Sequence, residues 1–241
     1  MNPGTSTNLG MMAAVALAGM GTPASATGPS PDHPPETRSY IFSYLVLDEP
    51  EKLSQEEMGE AMQGHFANMG DMADAGDLLI AGPLADPRID ETYRGIFVFS
   101  TDDIGEGRAL VATDPGVKAG VFKPELYVIS CDEPLGELTR LEREYEQRRL
   151  DDPDIPDEWV GRMFVLAIGP GDEEFEHTDA VLIDATMDRV DDNKDEVRQL
   201  LWLDASDVEE ARSKLKAEHL DAWSFYGWYG SPCVAELKDI N

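Results

Sequence analysis

In the first half of the chain, short runs of branched and aromatic residues alternate with longer amphipathic stretches. Residues 39–47 (Ser-Tyr-Ile-Phe-Ser-Tyr-Leu-Val-Leu) have the composition of a strand. Ser54, with Glu57 three positions on, forms a capping box and predicts a helix start. That helix runs to about Ala75 and ends at Gly76, a residue suited to the left-handed position after a helix. Within it Met58, Met62, Phe66 and Met69 recur at three- and four-residue steps, with His65 beside the stripe. Residues 78–81 form a short strand, expected to stop at Gly82-Pro83, and residues 94–100 form another. Asp102 or Asp103 starts a second helix reaching about Thr113, and residues 122–130 supply a fourth strand. The order β-α-β-β-α-β is that of a ferredoxin-like unit.

The pattern then partly recurs. Residues 135–150 form a charged connecting helix after Pro134, and residues 151–157, with Pro153 and Pro156, form a linker. Strands are predicted at 162–168, ending at Gly169-Pro170, and at 180–187 and 197–203. A helix follows over 206–218, with Ser206 as its cap and Glu209 at its third position. Residues 223–229 and 233–237 supply the last strand material. Leu201-Trp202-Leu203-Asp204 before Glu209-Glu210-Ala211-Arg212 echoes Phe97-Val98-Phe99-Ser100 before Glu106-Gly107-Arg108-Ala109. Only a short acidic segment, 171–177, stands where the second unit's first helix would be.

Residues 1–26 contain no Asp, Glu, Lys or Arg, and an apolar run over 9–20 is followed by Ala24-Ser25-Ala26. This is the pattern of a secretory signal cleaved after Ala26, although its first residues lack the usual Lys or Arg. The expected partition is a signal peptide over 1–26, a flexible lead-in over 27–37, a first domain over 38–131, a connecting helix and linker over 132–158, and a degenerate second copy over 159–241. A periplasmic or secreted protein is the expectation.

Charge narrows the class of partner. The chain has 49 acidic and 19 basic residues, a formal net charge of -30. Nucleic acid and anionic membrane surfaces would be repelled. The acid excess is spread over the whole chain, which suggests a surface adapted to high salt, where self-repulsion is screened. No stretch has the alternating acidic spacing of a calcium loop.

No zinc-ligand spacing, phosphate-binding loop, dinucleotide fingerprint or nucleophile elbow occurs, so neither a metal nor a cofactor is expected. Of the four histidines (His33, His65, His177 and His219), His65 has the most informative surroundings. A histidine exchanges protons near neutral pH, and a carboxylate beside it fixes its tautomer. Asp114, before Pro115, is held out of helical geometry at a turn and is the candidate carboxylate. A half-buried structural histidine and a turn-capping aspartate are the bland alternatives. His177, Glu218 and Asp221 read as surface residues, and the aromatic run Trp223 to Tyr229 reads as core. Cys131 and Cys233 read as buried free thiols, although in an exported protein they could pair.

Four blocks carry a wider resemblance: Gly64-His65-Phe66-Ala67-Asn68-Met69, Gly76 to Leu84, Arg94-Gly95-Ile96-Phe97, and Thr113-Asp114-Pro115-Gly116 onward to Gly120. In this order and spacing they resemble the YciI-related (YCII-domain) family over about residues 38–130. The resemblance implies an α+β fold of tandem ferredoxin-like (βαββαβ) units, packed sheet to sheet as a pseudo-dimeric α+β barrel. Trp228-Tyr229-Gly230-Ser231, similar to a segment that ends single-domain relatives, supports that tandem reading. The chain would then be a monomer with an internal pseudo-dimer, or a homodimer. The resemblance also implies a pocket with His65 and Asp114, and some relatives are lyase-type enzymes. Many relatives carry an Arg where this chain has Met62. Three functions follow as expectations: a lyase- or isomerase-type enzyme acting on a small molecule, a non-catalytic small-molecule binder or structural protein, and an acidic docking protein. Because a functional pair is not selected for packing, Asp114→Asn and His65→Asn are each expected to cost little stability.

Overall fold

The computed structural model describes residues 37–152, 161–190 and 197–240. The expected signal, nearly all of the lead-in, His33 and most of the 151–157 linker lie outside the described residues. The first half contains β1 (Arg38–Leu47), α1 (Gln55–Ala75), β2 (Leu78–Pro83), β3 (Tyr93–Phe99), α2 (Ile104–Val111), α3 (Pro115–Lys118) and β4 (Phe122–Cys131). At the start of α1, Ser54 Oγ accepts from the Glu57 backbone N–H at 3.2 Å, and the Glu57 carboxylate accepts from the Ser54 N–H at 2.8 Å. The helix ends at left-handed Gly76, as its sequence predicts. β2 does not stop at Gly82-Pro83 but runs through it. The Leu84 N–H donates to Arg94 on the β3 side, so by alternation Pro83 lacks its N–H on the outer edge, where no ladder bond is lost.

The second half begins after α4 (Leu138–Asp151) and contains β5 (Arg162–Pro170), β6 (Phe175–Glu176), β7 (Val181–Arg189), β8 (Arg198–Leu203), α5 (Val208–Lys214), β9 (Lys216–Ala217) and β10 (Ser224–Gly230). Three expectations are corrected here. Asp207, not Ser206, caps α5, accepting from the Glu210 N–H at 2.8 Å, while Ser206 donates its own N–H and hydroxyl to the Glu210 carboxylate. α5 ends at Lys214, because residues 216–217 leave the helix to pair with β6. Residues 233–237 are not strand but part of a 3-10 helix over Pro232–Asp239, which turns Cys233, Val234 and Leu237 into the core together.

β6 and β9 pair as a two-stranded ribbon; the other eight strands form one sheet in the order β10-β5-β8-β7-β4-β1-β3-β2, with every neighbouring pair antiparallel. This replaces the expected packing of two separate sheets: β4 and β7 join the halves through Tyr127–Cys131 and Ala185–Arg189. Counted within each half, the order is the same: fourth, first, third, second strand. The sheet curls until its outer strands almost meet, with Leu84 bridging to Trp228 and the Ala85 N–H donating to the Gly227 carbonyl at 2.7 Å. Gly82 permits this seam, since a β-carbon there would lie 2.2 Å from the Tyr229 carbonyl oxygen. The result is a mixed α+β fold with a nearly closed antiparallel barrel.

Alternation of side chains along the strands builds three cores. The inner face buries Phe42, Tyr44, Phe164, Trp202 and Trp228, and α4 and the final 3-10 helix add Leu138, Leu141 and Val234 to it. The outer face of the first half buries Ile41, Leu45, Phe97 and Phe99 beneath α1 and α2. The outer face of the second half buries Val165, Ala167, Leu201 and Leu203 against α5. Among the described residues no helix is long and apolar enough to cross a membrane.

Candidate functional site

α1 lies on the outer face of the first half, and the residues it buries are Ala61, His65 and Met72. His65 therefore sits in the buried stripe rather than beside it, and Phe66, expected in that stripe, is 38% exposed. The stripe follows the helix face that meets α3 and the sheet, and small Ala61 lets that face approach closely. Hydrophobicity alone ranks Phe66 above His65 and so misplaces the centre of the stripe.

α3 is short and starts at Pro115, whose fixed φ suits a first helical position. Asp114 is its cap, with extended backbone as the residue before proline requires. Asp114 Oδ1 accepts from the Gly116 and Val117 N–H groups at 2.7 and 3.2 Å. Its other oxygen, Oδ2, lies 2.6 Å from His65 Nδ1. The two side chains are 0% and 7% exposed, so this is a buried pair.

The two sequence blocks meet residue against residue. Pro115 packs so near Gly64 that a β-carbon on Gly64 would lie 2.9 Å from the proline ring. Thr113 Oγ donates toward Asn68 Oδ1 at 3.1 Å. Gly64, His65 and Asn68 on α1 thus face Pro115, Asp114 and Thr113. Gly64 was not singled out by its sequence; a glycine beside the histidine and a proline beside the aspartate were the signals that could have found this junction.

Three phenylalanine rings surround the imidazole: Phe97 stacked at 5.8 Å and 19°, Phe122 at 5.3 Å and Phe66 at 5.3 Å. With Nδ1 facing a carboxylate that already accepts two N–H groups, the ring donates through Nδ1 and Nε2 carries the lone pair. Among the described residues Nε2 has no protein partner. Among the described residues the fully enclosed side-chain N and O atoms with no hydrogen-bond partner are Tyr44 Oη, Thr178 Oγ1 and the indole nitrogens of Trp202, Trp223 and Trp228. Nε2 is not among them, so the small accessible part of His65 includes it.

The other two described histidines form separate pairs in which the histidine is exposed. His177 Nε2 lies 2.5 Å from Asp184 Oδ2, and His219 Nδ1 lies 3.2 Å from Glu173 Oε2. Glu218 and Asp221 face neither histidine pair in these contacts. Both cysteines are free and buried, and burial pushes each thiol up to about 12, so neither is a ready nucleophile. No group of three or more His, Cys, Asp or Glu that could hold a metal occurs among the described residues.

Residues 42–128, which span β1 to β4 and hold both members of the buried pair, match the YCII-related domain. No curated protein and no solved structure matches the chain.

Proposed function

We propose, on the premise that residues 42–128 form a YCII-related domain, that His65 and Asp114 are an acid–base pair acting on a small organic molecule in a lyase- or isomerase-type reaction. The observation that carries this reading is the division of labour on one ring: Nδ1 is fixed by a buried carboxylate, and Nε2 is left unpartnered at the accessible edge. With Nδ1 held by Asp114, the accessible Nε2 is free to exchange a proton with a ligand or with water. In the reaction Nε2 takes a proton from a substrate carbon. The C–H electron pair forms a new double bond and either expels a leaving group from the neighbouring carbon or moves onto a conjugated acceptor. Asp114 stabilises the imidazolium, which then returns the proton to the product or to water. In the same reading the second half is a degenerate copy of the first, and the two reproduce a dimeric arrangement inside one chain. The repeated strand order supports this.

A second reading is favoured by the full use of both Asp114 oxygens: the pair would be a non-catalytic tie between α1 and α3. One measurement checks the pair itself and a second separates the readings. NMR of ¹⁵N-labelled histidine should show the Nδ1–H tautomer at His65 in the wild type and its loss in Asp114→Asn. A screen of activated carbonyl and halogenated ring compounds in D₂O should show exchange or elimination by the wild type, abolished in folded His65→Asn. A wild type inert to all of them, together with unfolding of His65→Asn, establishes the structural tie instead.

A further inference from the structure

β1 begins before its neighbour β3 ends alongside it. The pairing of the two starts at Ile41 opposite Phe99, so Arg38–Tyr40 run on past the end of β3. The cause is local: the Ser100 N–H donates to the Asp77 carbonyl at 2.9 Å, which draws the chain away from β1 toward the start of β2. The other side of β1 is paired with β4 without interruption from Arg38 to Leu47. Alternation then fixes which backbone groups are left over. The Leu47 N–H donates to Thr92 on the β3 side, and the Asp48 N–H donates to Val121 on the β4 side. Counted back along the strand, odd-numbered residues turn their N–H and carbonyl to the β3 side, and Ser39 is the odd residue beyond the end of β3. The Ser39 and Ser130 hydroxyls meet at 2.8 Å, as expected for an opposed pair whose backbone groups point away from each other. Among the described residues the Ser39 N–H and carbonyl have no backbone partner.

This free edge faces an open groove of about 880 Å³, lined by residues 37–40, Asp77, the turn from Ser100 to Asp102, and Glu106, Ala109 and Leu110 of α2. The volume is in the range of ligand sites, about 300–1,000 Å³. Ala109 and Leu110 give the groove an apolar side, and Asp77, Asp102 and Glu106 give it three carboxylates. Glu106 accepts from Thr101 Oγ1 at 2.6 Å, which holds it at the turn. The Arg38 side chain turns the other way: it shares the strand face of Tyr40, a residue of the inner core, and its charge acts on the Tyr40 phenol. A free strand edge is complemented by the N–H and carbonyl of another extended chain, and the carboxylates by a cation. An extended peptide carrying Lys or Arg supplies both. A linear polyamine would meet the carboxylates and leave the Ser39 groups unmet. A second copy of this chain, with its net charge of -30, would bring further negative charge to them.

We propose that this groove docks a short, extended, basic peptide segment of another protein, which adds to β1 at Ser39 and places a Lys or Arg side chain among Asp77, Asp102 and Glu106. Acetyl-Ala-Lys-Ala-Lys-Ala-amide is the probe. The same peptide with Glu in place of Lys is one control, and spermidine, a cation without a peptide backbone, is the other. NMR titration of the full chain at low salt should show saturable binding of the Lys peptide, with the Ser39 amide resonance shifted and its hydrogen exchange slowed. The Glu peptide should bind at least about tenfold more weakly, because like charges meet in the groove. Ser39→Pro removes the N–H that faces the groove and no ladder bond, so it should fold and bind the Lys peptide about tenfold more weakly, the loss expected for one hydrogen bond. Ser39→Ala keeps that N–H and should bind as the wild type does. If Ser39→Pro does not fold, the exchange of the wild-type Ser39 amide decides. No binding, equal binding of the Lys and Glu peptides, spermidine bound as tightly as the Lys peptide, or an unmoved Ser39 amide overturns the proposal. So does a wild-type dimer that blocks the peptide, since the edge would then belong to a second copy.

Discussion

In the first half of the molecule a histidine and an aspartate 49 positions apart meet at 2.6 Å; in the second half a pair seven positions apart meets at 2.5 Å. The contacts are nearly the same length, and each aspartate uses both of its oxygens, since Asp184 Oδ1 accepts from Gln199 Nε2; what differs is burial. His65 and Asp114 are 7% and 0% exposed, whereas His177 and Asp184 are 62% and 24% exposed. The first pair joins two helices over a phenylalanine box. The second lies just after β6, beside the β6–β9 ribbon. Distance alone therefore says little about a pair. What separates the two is whether water competes for the same groups, since a surface ion pair contributes little and a buried one is costly to break.

The comparison can be tested by substitution, beginning with the largest effect. Asp114→Ala removes the α3 cap and strands a buried N–H of His65, so it should cost about 3 kcal/mol or more in urea unfolding. Asp114 serves the backbone of α3 as well as His65. Asp114→Asn keeps a cap acceptor and should cost clearly less. If Asp114→Ala costs no more than Asp184→Ala, the distinction between the pairs fails.

Gly64→Ala tests the close approach that brings the first pair together. Its β-carbon would press on Pro115 at 2.9 Å, and overpacking of this kind costs about 1–3 kcal/mol. The His65 Nδ1–H signal should broaden or shift in the same variant. A variant as stable as the wild type with an unchanged His65 signal would show that α1 and α3 are not held by this contact.

Glu133 sharpens the picture of the second pair's neighbourhood. Desolvation raises its pKa, its own backbone and the Asp184 N–H lower it, and the charge of Asp184 raises it further. Its folded-state pKa therefore lies above its unfolded value, so the folded state binds the extra proton. Stability from this group is present at acidic pH and is lost as pH rises through the folded pKa. Glu133→Gln should therefore raise the melting temperature at neutral pH, and the gain should vanish below the ordinary carboxylate range. A gain independent of pH would rule out the titration as its cause.

The smallest effect is expected for His177→Ala. An exposed pair contributes about 0.2–1 kcal/mol, and that contribution should fade in molar salt, where the screening length is about 3 Å. The cost of Asp114→Ala should persist in the same salt. Parallel denaturation curves for the two variants at low and high KCl measure the contrast directly, and equal salt sensitivity would erase it.

Much of this protein was legible in the chain itself. The Ser54–Glu57 box, the stop at Gly76 and the alternating strands β1 and β3 follow from local sterics and hydrogen bonding, which need no distant partner. The pair His65 and Asp114 was identifiable as candidate chemistry because a histidine exchanges protons near neutral pH and because the blocks around both residues resemble one family. Tertiary structure decided what those residues touch. Phe66 is more apolar than His65, yet the histidine is the one buried, because the close approach at Gly64 and Pro115 sets which face of α1 turns inward. Residues 216–217 left their predicted helix for a partner strand 40 positions away. The curl of one sheet, not two, set Tyr44, Trp202 and Trp228 inside a common core. Local pattern fixes which face of an element is apolar, but which elements share an enclosed space depends on how the sheet closes, and that is settled by contacts between residues far apart in the chain.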